Sequence, residues 1–414
     1  MRPQEIHYYV NTDRESPMYG KEDPALGIII DWKMIHKALL KTGKCKHYPD
    51  PLKADISKVG YIVDMSDRSR GKTTQKLVLG LLLYVAYGIE LQLVRQHSRM
   101  IEPKLMRNMY KTVIEEHLIE EITEGRWNHI YYWGKRWYLC LTDDDGKIIE
   151  TDPGHCCFCC GLDESYDLKS TYNAPRGDMI FFDEFIGNSY GYDDFTNFVD
   201  ICKTIIRDRQ SPIIFMSSNT IDLNSQWFDE FGCRREVEGM RYGDVKVLST
   251  DIGTHMYIEL LYPDESEKRK KVNARFFGFD NPKLNAISGR GEWATDVYPH
   301  IPKRKDKEMT VINNQVYLRY QGNDIHLTLC EDAERGLCVL VTPATRTHDD
   351  SIILMAEEPT SRNHLFGFGK GTVVDIWWRL YYQNRWLYTT NGMGATIHSY
   401  VGYVKSKIDK LEGY

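Results

Sequence analysis

Three short stretches of this chain carry side chains suited to handling a phosphate. The first is Ser66-Asp67-Arg68-Ser69-Arg70-Gly71-Lys72-Thr73-Thr74, which follows the β-branched and aromatic run Val59 to Met65 and precedes an apolar helical stretch ending near Gly88. Strand, polar loop and helix form a phosphate-binding unit when backbone N–H groups face the phosphates, a lysine reaches the β and γ oxygens, and a Ser or Thr hydroxyl holds Mg2+. Gly71, Lys72 and Thr73 supply these parts. Ser66 stands where the pattern GxxxxGK[ST] begins with glycine, so the strict pattern fails by one small residue. A chance GKT in a polar loop is the bland alternative, and the flanking strand and helix speak against it.

The second stretch, Met179-Ile180-Phe181-Phe182-Asp183-Glu184, is an apolar strand ending in two carboxylates. Hydrolysis of a nucleoside triphosphate needs one carboxylate in the Mg2+ shell and one group that orients and deprotonates water. Asp183 suits the first task and Glu184 the second. An exposed acidic strand end is the bland reading, weakened by the phosphate loop upstream. The third stretch, Pro212-Ile213-Ile214-Phe215-Met216, ends in Ser217-Ser218-Asn219. Ser218 and Asn219 are candidates to sense the γ-phosphate, with simple strand-end capping as the alternative. Just upstream, Arg207 and Arg209 follow the end of a helix, either as surface charges or as fingers acting on a neighbouring subunit.

These residues demand an α/β frame. The apolar runs read as buried parallel strands with helices on both faces. Leu91 to Arg95 forms a further strand, whose default partner through a right-handed crossover is the strand before the loop. Residues 101–124 read as helical, with Met106, Tyr110, Ile114 and Leu118 at spacing four, and residues 129–150 read as a hairpin. VKVLST and MYIELLY add alternating strands. Residues 264–310 are polar and weakly periodic, and from Val311 short strands precede an aromatic stretch, VVDIWWRLYYQNRWLY, read as one helix. The fold class is a mostly parallel α/β sheet flanked by helices, followed by a small linker module and an α+β domain.

The chain has 414 residues, enough for two or three domains. Its net charge of -6 is the opposite of a nucleic-acid coat's, but the charge is uneven: residues 1–100 carry 16 basic and 11 acidic side chains, residues 101–200 carry 9 and 20, and the rest are balanced. The acidic block holds Asp183 and Glu184, so the negative balance comes largely from the segment that carries the paired carboxylates. No apolar run reaches the roughly 18 residues of a spanning helix, and the N-terminus lacks a secretory apolar region. Ten cysteines in this length do not make a disulfide framework, so a reducing, intracellular setting fits.

The ordered set SDRSRGKTT, LQLVRQ, MIFFDEFIG, TIIRDRQSPIIFMSSN and MYIELLYPDESEKRKK resembles the DNA encapsidation ATPases of small protein-primed tailed phages, an additional-strand P-loop class, over residues 58–271. The resemblance implies an ATPase domain with an N-terminal extension over residues 1–262, a linker over 263–304, and a degenerate RNase H-like domain over 305–414. It implies an ATP-driven motor that packages double-stranded viral DNA into a preformed procapsid, as a ring, a pentamer by that likeness, on the portal or connector. A structural packaging RNA is a further possible partner, no membrane is involved, and the setting is the host cytoplasm at the portal vertex. ATP and Mg2+ are the implied cofactors. Carried over by position, Lys72 and the loop from Ser66 through Asp67, Arg68, Ser69, Arg70, Gly71, Thr73 and Thr74 bind the phosphates, with Asn219 at their end. Thr73 and Asp183 hold the metal and Glu184 is the base. Arg207 matches the trans-acting arginine with Arg209 as its rival, and Arg68 matches an arginine of the family's loop. Ser66, the extension of some forty residues and the Cys-rich insert depart from the family.

Other signals carry less. Cys156, Cys157, Cys159 and Cys160 invite a zinc site, but neighbours on a strand point to opposite faces, so a buried strand is the expected reading. The clusters Lys268 to Lys271 and Lys303 to Lys307 are solvated charge or nucleic-acid contacts. Trp377, Trp378, Tyr381, Tyr382 and Trp386 read as a core face rather than a base-stacking platform. A nuclease-competent terminase would need clustered carboxylates, for which Asp324, Asp349, Asp350 and Asp375 are the local supply. A non-hydrolysing nucleotide-binding scaffold is the third alternative, opposed by Asp183-Glu184.

Overall fold

The structure is a computed structural model that describes residues 1–43, 50, 52, 58–66, 70–187, 190–191, 193–219, 225–262, 298–299, 301, 309–333, 336–344, 350–368 and 371–412. It forms two compact units: Met1–Gly187 with Asp193–Thr220 and Met240–Asp264, and Asn188–Tyr192 with Ile221–Gly239 and Glu265–Tyr414.

The first unit is built on β1 (Tyr61–Ser66), β2 (Leu91–Arg95), β3 (His129–Trp133), β4 (Arg136–Thr142), β5 (Ile148–Thr151), β6 (Cys157–Gly161), β7 (Met179–Asp183), β8 (Ile213–Asn219), β9 (Val245–Ser249) and β10 (His255–Leu260). They lie in the order β3-β4-β6-β2-β7-β8-β1-β10-β9, with β5 on β4. The central strands β6, β2, β7, β8, β1 and β10 are all parallel, and the antiparallel strands are confined to the flanks. This corrects the expected direct pairing of β1 with β2. The apolar strands β7 and β8, buried along nearly their whole length, occupy the centre and hold them apart, because a strand apolar on both faces is stable only between covered neighbours.

Helix α1 (Trp32–Lys41) and helix α2 (Lys72–Tyr87) cover the sheet. Leucines and valines line most of α2 without a polar stripe, and twelve of its residues are buried, so the helix is wrapped on all sides. Gly88 ends it at φ 66, its N–H donating to the carbonyls of Leu83 and Tyr84. A β-carbon at Gly80 would stand 3.1 Å from Leu91, so glycine there lets α2 lie directly on β2. A third helix, α3 (Asp194–Ile206), buries Phe198, Ile201, Cys202 and Ile205. Residues 101–124 do not form one helix: short turns at Pro103–Met106, Lys111–Glu115 and Leu118–Ile122 are separated by breaks, one of them at His117 with φ 54. The spacing-four apolar residues still point inward, with Met106, Tyr110 and Leu118 buried. The four cysteines are 0 to 2% exposed, three of them in β6.

The second unit holds β11 (Met309–Tyr320), β12 (Asn323–Asp332), β13 (Gly336–Pro343), β14 (Ile352–Met355), β15 (His364–Phe366) and β16 (Trp386–Tyr388), ordered β15-β14-β11-β12-β13-β16. β11, β12 and β13 form an antiparallel meander, while β14 runs parallel to β11 and β15 parallel to β14. β16 is added in parallel on β13. Helices α4 (Asp375–Tyr382) and α5 (Asn391–Glu412) complete it. The aromatic stretch read as one helix is helix then strand: Asn384 turns at φ 55 and Trp386 enters β16. Trp377, Trp378 and Trp386 are core, whereas Tyr382 is 56% exposed. Residues 225–239 join this unit rather than the first because Trp227 and Phe228 are buried and Gln226 Oε1 accepts from Tyr320 Oη at 2.9 Å and Ser399 Oγ at 3.0 Å. Most of the expected linker, including both basic clusters, lies outside the described residues.

Candidate functional site

Parallel strands direct all their C-terminal ends to one edge of the sheet, and that edge collects the candidate residues. β1 delivers Ser66, β7 delivers Asp183 and Glu184, and β8 delivers Ser217, Ser218 and Asn219. Gly71 turns the chain at φ 69 into α2, which opens with Lys72, Thr73 and Thr74. Together Arg70, Gly71, Lys72, Thr73, Thr74, Asp183, Glu184 and Ser217 to Asn219 line a cavity of about 430 Å3, a volume suited to a small ligand. Asp67, Arg68 and Ser69 lie outside the described residues.

Inside this cavity Thr73 Oγ1 donates to Asp183 Oδ1 at 3.0 Å. Lys72 Nζ donates to Ser66 Oγ at 2.6 Å and reaches Ser66 O and Asn219 Oδ1, each at 3.4 Å. Ser66 and Asn219 are paired across β1 and β8, so the lysine rests on the junction of these strand ends. The hydroxyl at the position usually given to glycine thus receives the ammonium. Glu184 takes φ 55, a left-handed conformation uncommon outside glycine and frequent at functional sites. The turn after it is held by Phe185 N donating to Ser217 O at 3.2 Å and Gln96 Nε2 donating to Phe185 O at 2.9 Å.

Sequence reasoning gave no role to Arg95, the last residue of β2. Its Nη1 is bonded to Asp183 Oδ2 and its Nη2 donates to Glu184 Oε2 at 3.2 Å. Burial pushes the Asp183 carboxyl above the usual range, Arg95 pulls it back, Glu184 raises it, and the Thr73 hydrogen bond and Lys72 lower it. A second omission lies beneath the loop. Lys76, fully buried one turn after Lys72, is bonded to Asp64 of β1, which also accepts from Ser217 Oγ of β8. A buried pair of this kind ties α2, β1 and β8 together, since breaking one partner costs about 3 to 5 kcal/mol. The sequence signal for both was a charge within an otherwise apolar element: Asp64 in YIVDM, Lys76 in α2, and Arg95 closing LQLVR.

Comparison with solved structures finds likenesses that span nearly the whole of their partners. The Phi-28 gp11 DNA packaging motor is 16% identical, with a TM-score of 0.51 over 86% of this chain and 96% of that one. The bacteriophage Phi-29 viral genome packaging motor assembly is 16% identical, with a TM-score of 0.50 over 88% of this chain and 98% of that one. The chain has the fold of these packaging motors. No protein-family model and no curated protein matches it.

On this packaging-motor fold Arg207 and Arg209 stand apart from the cavity, near the start of β8. Arg209 is engaged in its own chain: Nη1 meets Asp178 Oδ2 at 3.4 Å, Nη2 donates to Gly177 O, and the side chain is 6% exposed. Asp178 also accepts from Ser211 Oγ. Burial raises the Asp178 carboxyl and lowers Arg209. Arg207 is exposed and caps α3 at φ 51, ψ -120, the geometry that opens a type II′ turn and normally belongs to glycine. An arginine held there at a conformational cost suggests a task for its side chain.

In the second unit two of the carboxylates considered for a nuclease have partners within the chain, and Asp350 is exposed. Asp324 Oδ1 accepts from Arg319 Nε at 2.7 Å, and Asp375 accepts from Gly371 N. The adjacent strands β11 and β14 contain no acidic residue, and Asp349 lies outside the described residues.

Proposed function

We propose that the chain is an ATP-driven motor that moves double-stranded DNA into a preformed procapsid through its portal, acting as a homo-oligomeric ring in the host cytoplasm. The observation that carries the reading is the Thr73 Oγ1 to Asp183 Oδ1 contact of 3.0 Å, which joins the phosphate loop to the strand-end carboxylate beside Glu184, on a packaging-motor fold. Mg2+ takes oxygen ligands at about 2.1 Å in octahedral array, which sets neighbouring ligands about 3.0 Å apart, so Thr73 and Asp183 fit the ion. When bound, Mg2+ would be held by Thr73 and Asp183 and would neutralise charge on the transferring phosphate.

This chain's own residues perform the remaining work. Lys72 exchanges its weak Asn219 contact for phosphate oxygens while Ser66 keeps its ammonium in place. Glu184 stands next to Asp183 at the cavity wall and accepts the proton of the attacking water. Asn219, which bonds Lys72 when no phosphate does, reports the exchange along β8. Arg207 cannot serve its own site: it precedes the seven-residue β8 that ends at Asn219, a span of roughly 20 Å at about 3.3 Å per residue. It acts instead on the nucleotide of a neighbouring subunit, which links firing to ring order. The absence of acidic residues from β11 and β14 supports a second unit that does not cut DNA. The test is phosphate release with DNA and portal-bearing procapsids: Lys72→Ala and Glu184→Gln abolish it, and undiminished release by both variants overturns the reading.

A further inference from the structure

The loop between β1 and α2 holds two arginines, and they differ in standing. Arg68 lies outside the described residues, whereas Arg70, directly before Gly71, is described. Arg70 lines the 430 Å3 cavity together with Lys72, Thr73, Asp183 and Glu184. Its Nε is buried and finds no hydrogen-bond partner among the described residues. A guanidinium keeps its charge under all ordinary conditions and presents donors only, so a buried donor of this kind calls for an acceptor.

The other charges around the cavity already have partners. Arg95 holds both Asp183 and Glu184, and Lys72 rests on Ser66 and Asn219. The carboxylate pair is therefore served from the β2 side, while Arg70 faces the space that a phosphate chain would fill. The N-terminus of α2, sixteen residues long, opens on the same space with the positive end of its dipole.

We propose that Arg70 is a second phosphate-binding cation of this site, acting in cis. Its planar fork donates to non-bridging oxygens of the polyphosphate, a bidentate geometry that the ammonium of Lys72 cannot offer. The inference rests on the reading of the cavity as a triphosphate site and adds the residue that reads the phosphate chain's shape as well as its charge. An orphaned donor becomes satisfied only on binding, so Arg70 favours the occupied state over the empty one.

The test uses the full chain, Mg2+ and a non-hydrolysable ATP analogue, with affinity measured by calorimetry and unfolding followed without ligand. Arg70→Ala raises the dissociation constant about tenfold, the equivalent of one charge-assisted hydrogen bond, and leaves the unliganded unfolding midpoint unchanged. Arg70→Lys, which keeps the charge and loses the fork, recovers part of the affinity. An Arg70→Ala dissociation constant within twofold of the unaltered chain overturns the role of Arg70 alone. Absence of saturable binding by the unaltered chain overturns the triphosphate site itself, and the role of Arg70 with it.

Discussion

Arg95 and Glu184 meet across the C-terminal edge of the sheet: Nη2 donates to Oε2 at 3.2 Å while Nη1 of the same guanidinium is bonded to Asp183. One side chain from β2 thus sets the orientation of both carboxylates on β7. Asp183 offers Oδ2 to Arg95 and leaves Oδ1 toward Thr73, so the two sides of one carboxylate serve two partners.

Replacing Arg95 by alanine lowers ATP turnover on the order of 10- to 100-fold, the scale seen when a group that orients a metal ligand is lost. The pH profile moves as well. Burial raises the Asp183 carboxyl and Arg95 is the first group that opposes this. Binding of metal and nucleotide requires the ionised form, which is lost as pH falls through the raised value. Without Arg95 that value rises further, so the acid limb of Mg2+-nucleotide binding shifts to higher pH in Arg95→Ala. An unmoved limb in a binding titration counts against this assignment.

Arg207 and Arg209 separate by what their loss damages. Arg209→Met leaves Asp178, wholly buried at its side chain, without its cation, and destabilises the chain by about 3 kcal/mol or more in denaturant unfolding. Arg207→Gly relieves a φ of 51 and stabilises it by up to about 1 kcal/mol. The same Arg207 variant loses hydrolysis in assembled rings, and mixing it with Lys72→Ala subunits restores part of the activity. If mixing restores nothing, the arginine does not act on a neighbour.

Much of this site was legible in the sequence because each piece is local. A loop of fixed spacing, an apolar strand ending in Asp183-Glu184 and another ending in Ser218-Asn219 each declare themselves within ten residues. Strand order was not legible: nothing in Tyr61–Ser66 or Leu91–Arg95 says that β7 and β8 lie between them. Arg95 was hidden for the same reason, since its partners are 88 and 89 positions away. The breaks in residues 101–124 escaped because apolar spacing reports the buried face and not the continuity of the backbone.

The cysteines of the β6 region are inert by burial. Cys156, Cys157 and Cys160 are pushed well above the ordinary thiol range and Cys159 up to about 12, with desolvation as the first cause. Thiolate is the reactive form, so alkylation at pH 8 followed by mass spectrometry leaves these four unmodified in the folded chain and labels them after denaturation. Labelling of the folded chain at these sites would show that β6 opens.

The second unit is expected to leave DNA intact. With Mn2+ and linear double-stranded DNA, the full chain yields no cleavage products, and Asp375→Ala, whose carboxylate accepts from Gly371 N, changes nothing in that assay. Cleavage that disappears in Asp375→Ala restores the nuclease reading.

The central claim is that Lys72 and Glu184 belong to one hydrolytic site that drives DNA movement. The most direct measurement is ATP-dependent protection of DNA from nuclease inside procapsids, taken in parallel with phosphate release, for the unaltered chain and for Glu184→Gln. Protection and release are expected together in the unaltered chain, and neither in Glu184→Gln although it still binds the nucleotide. DNA protection by Glu184→Gln at the unaltered rate would contradict the claim.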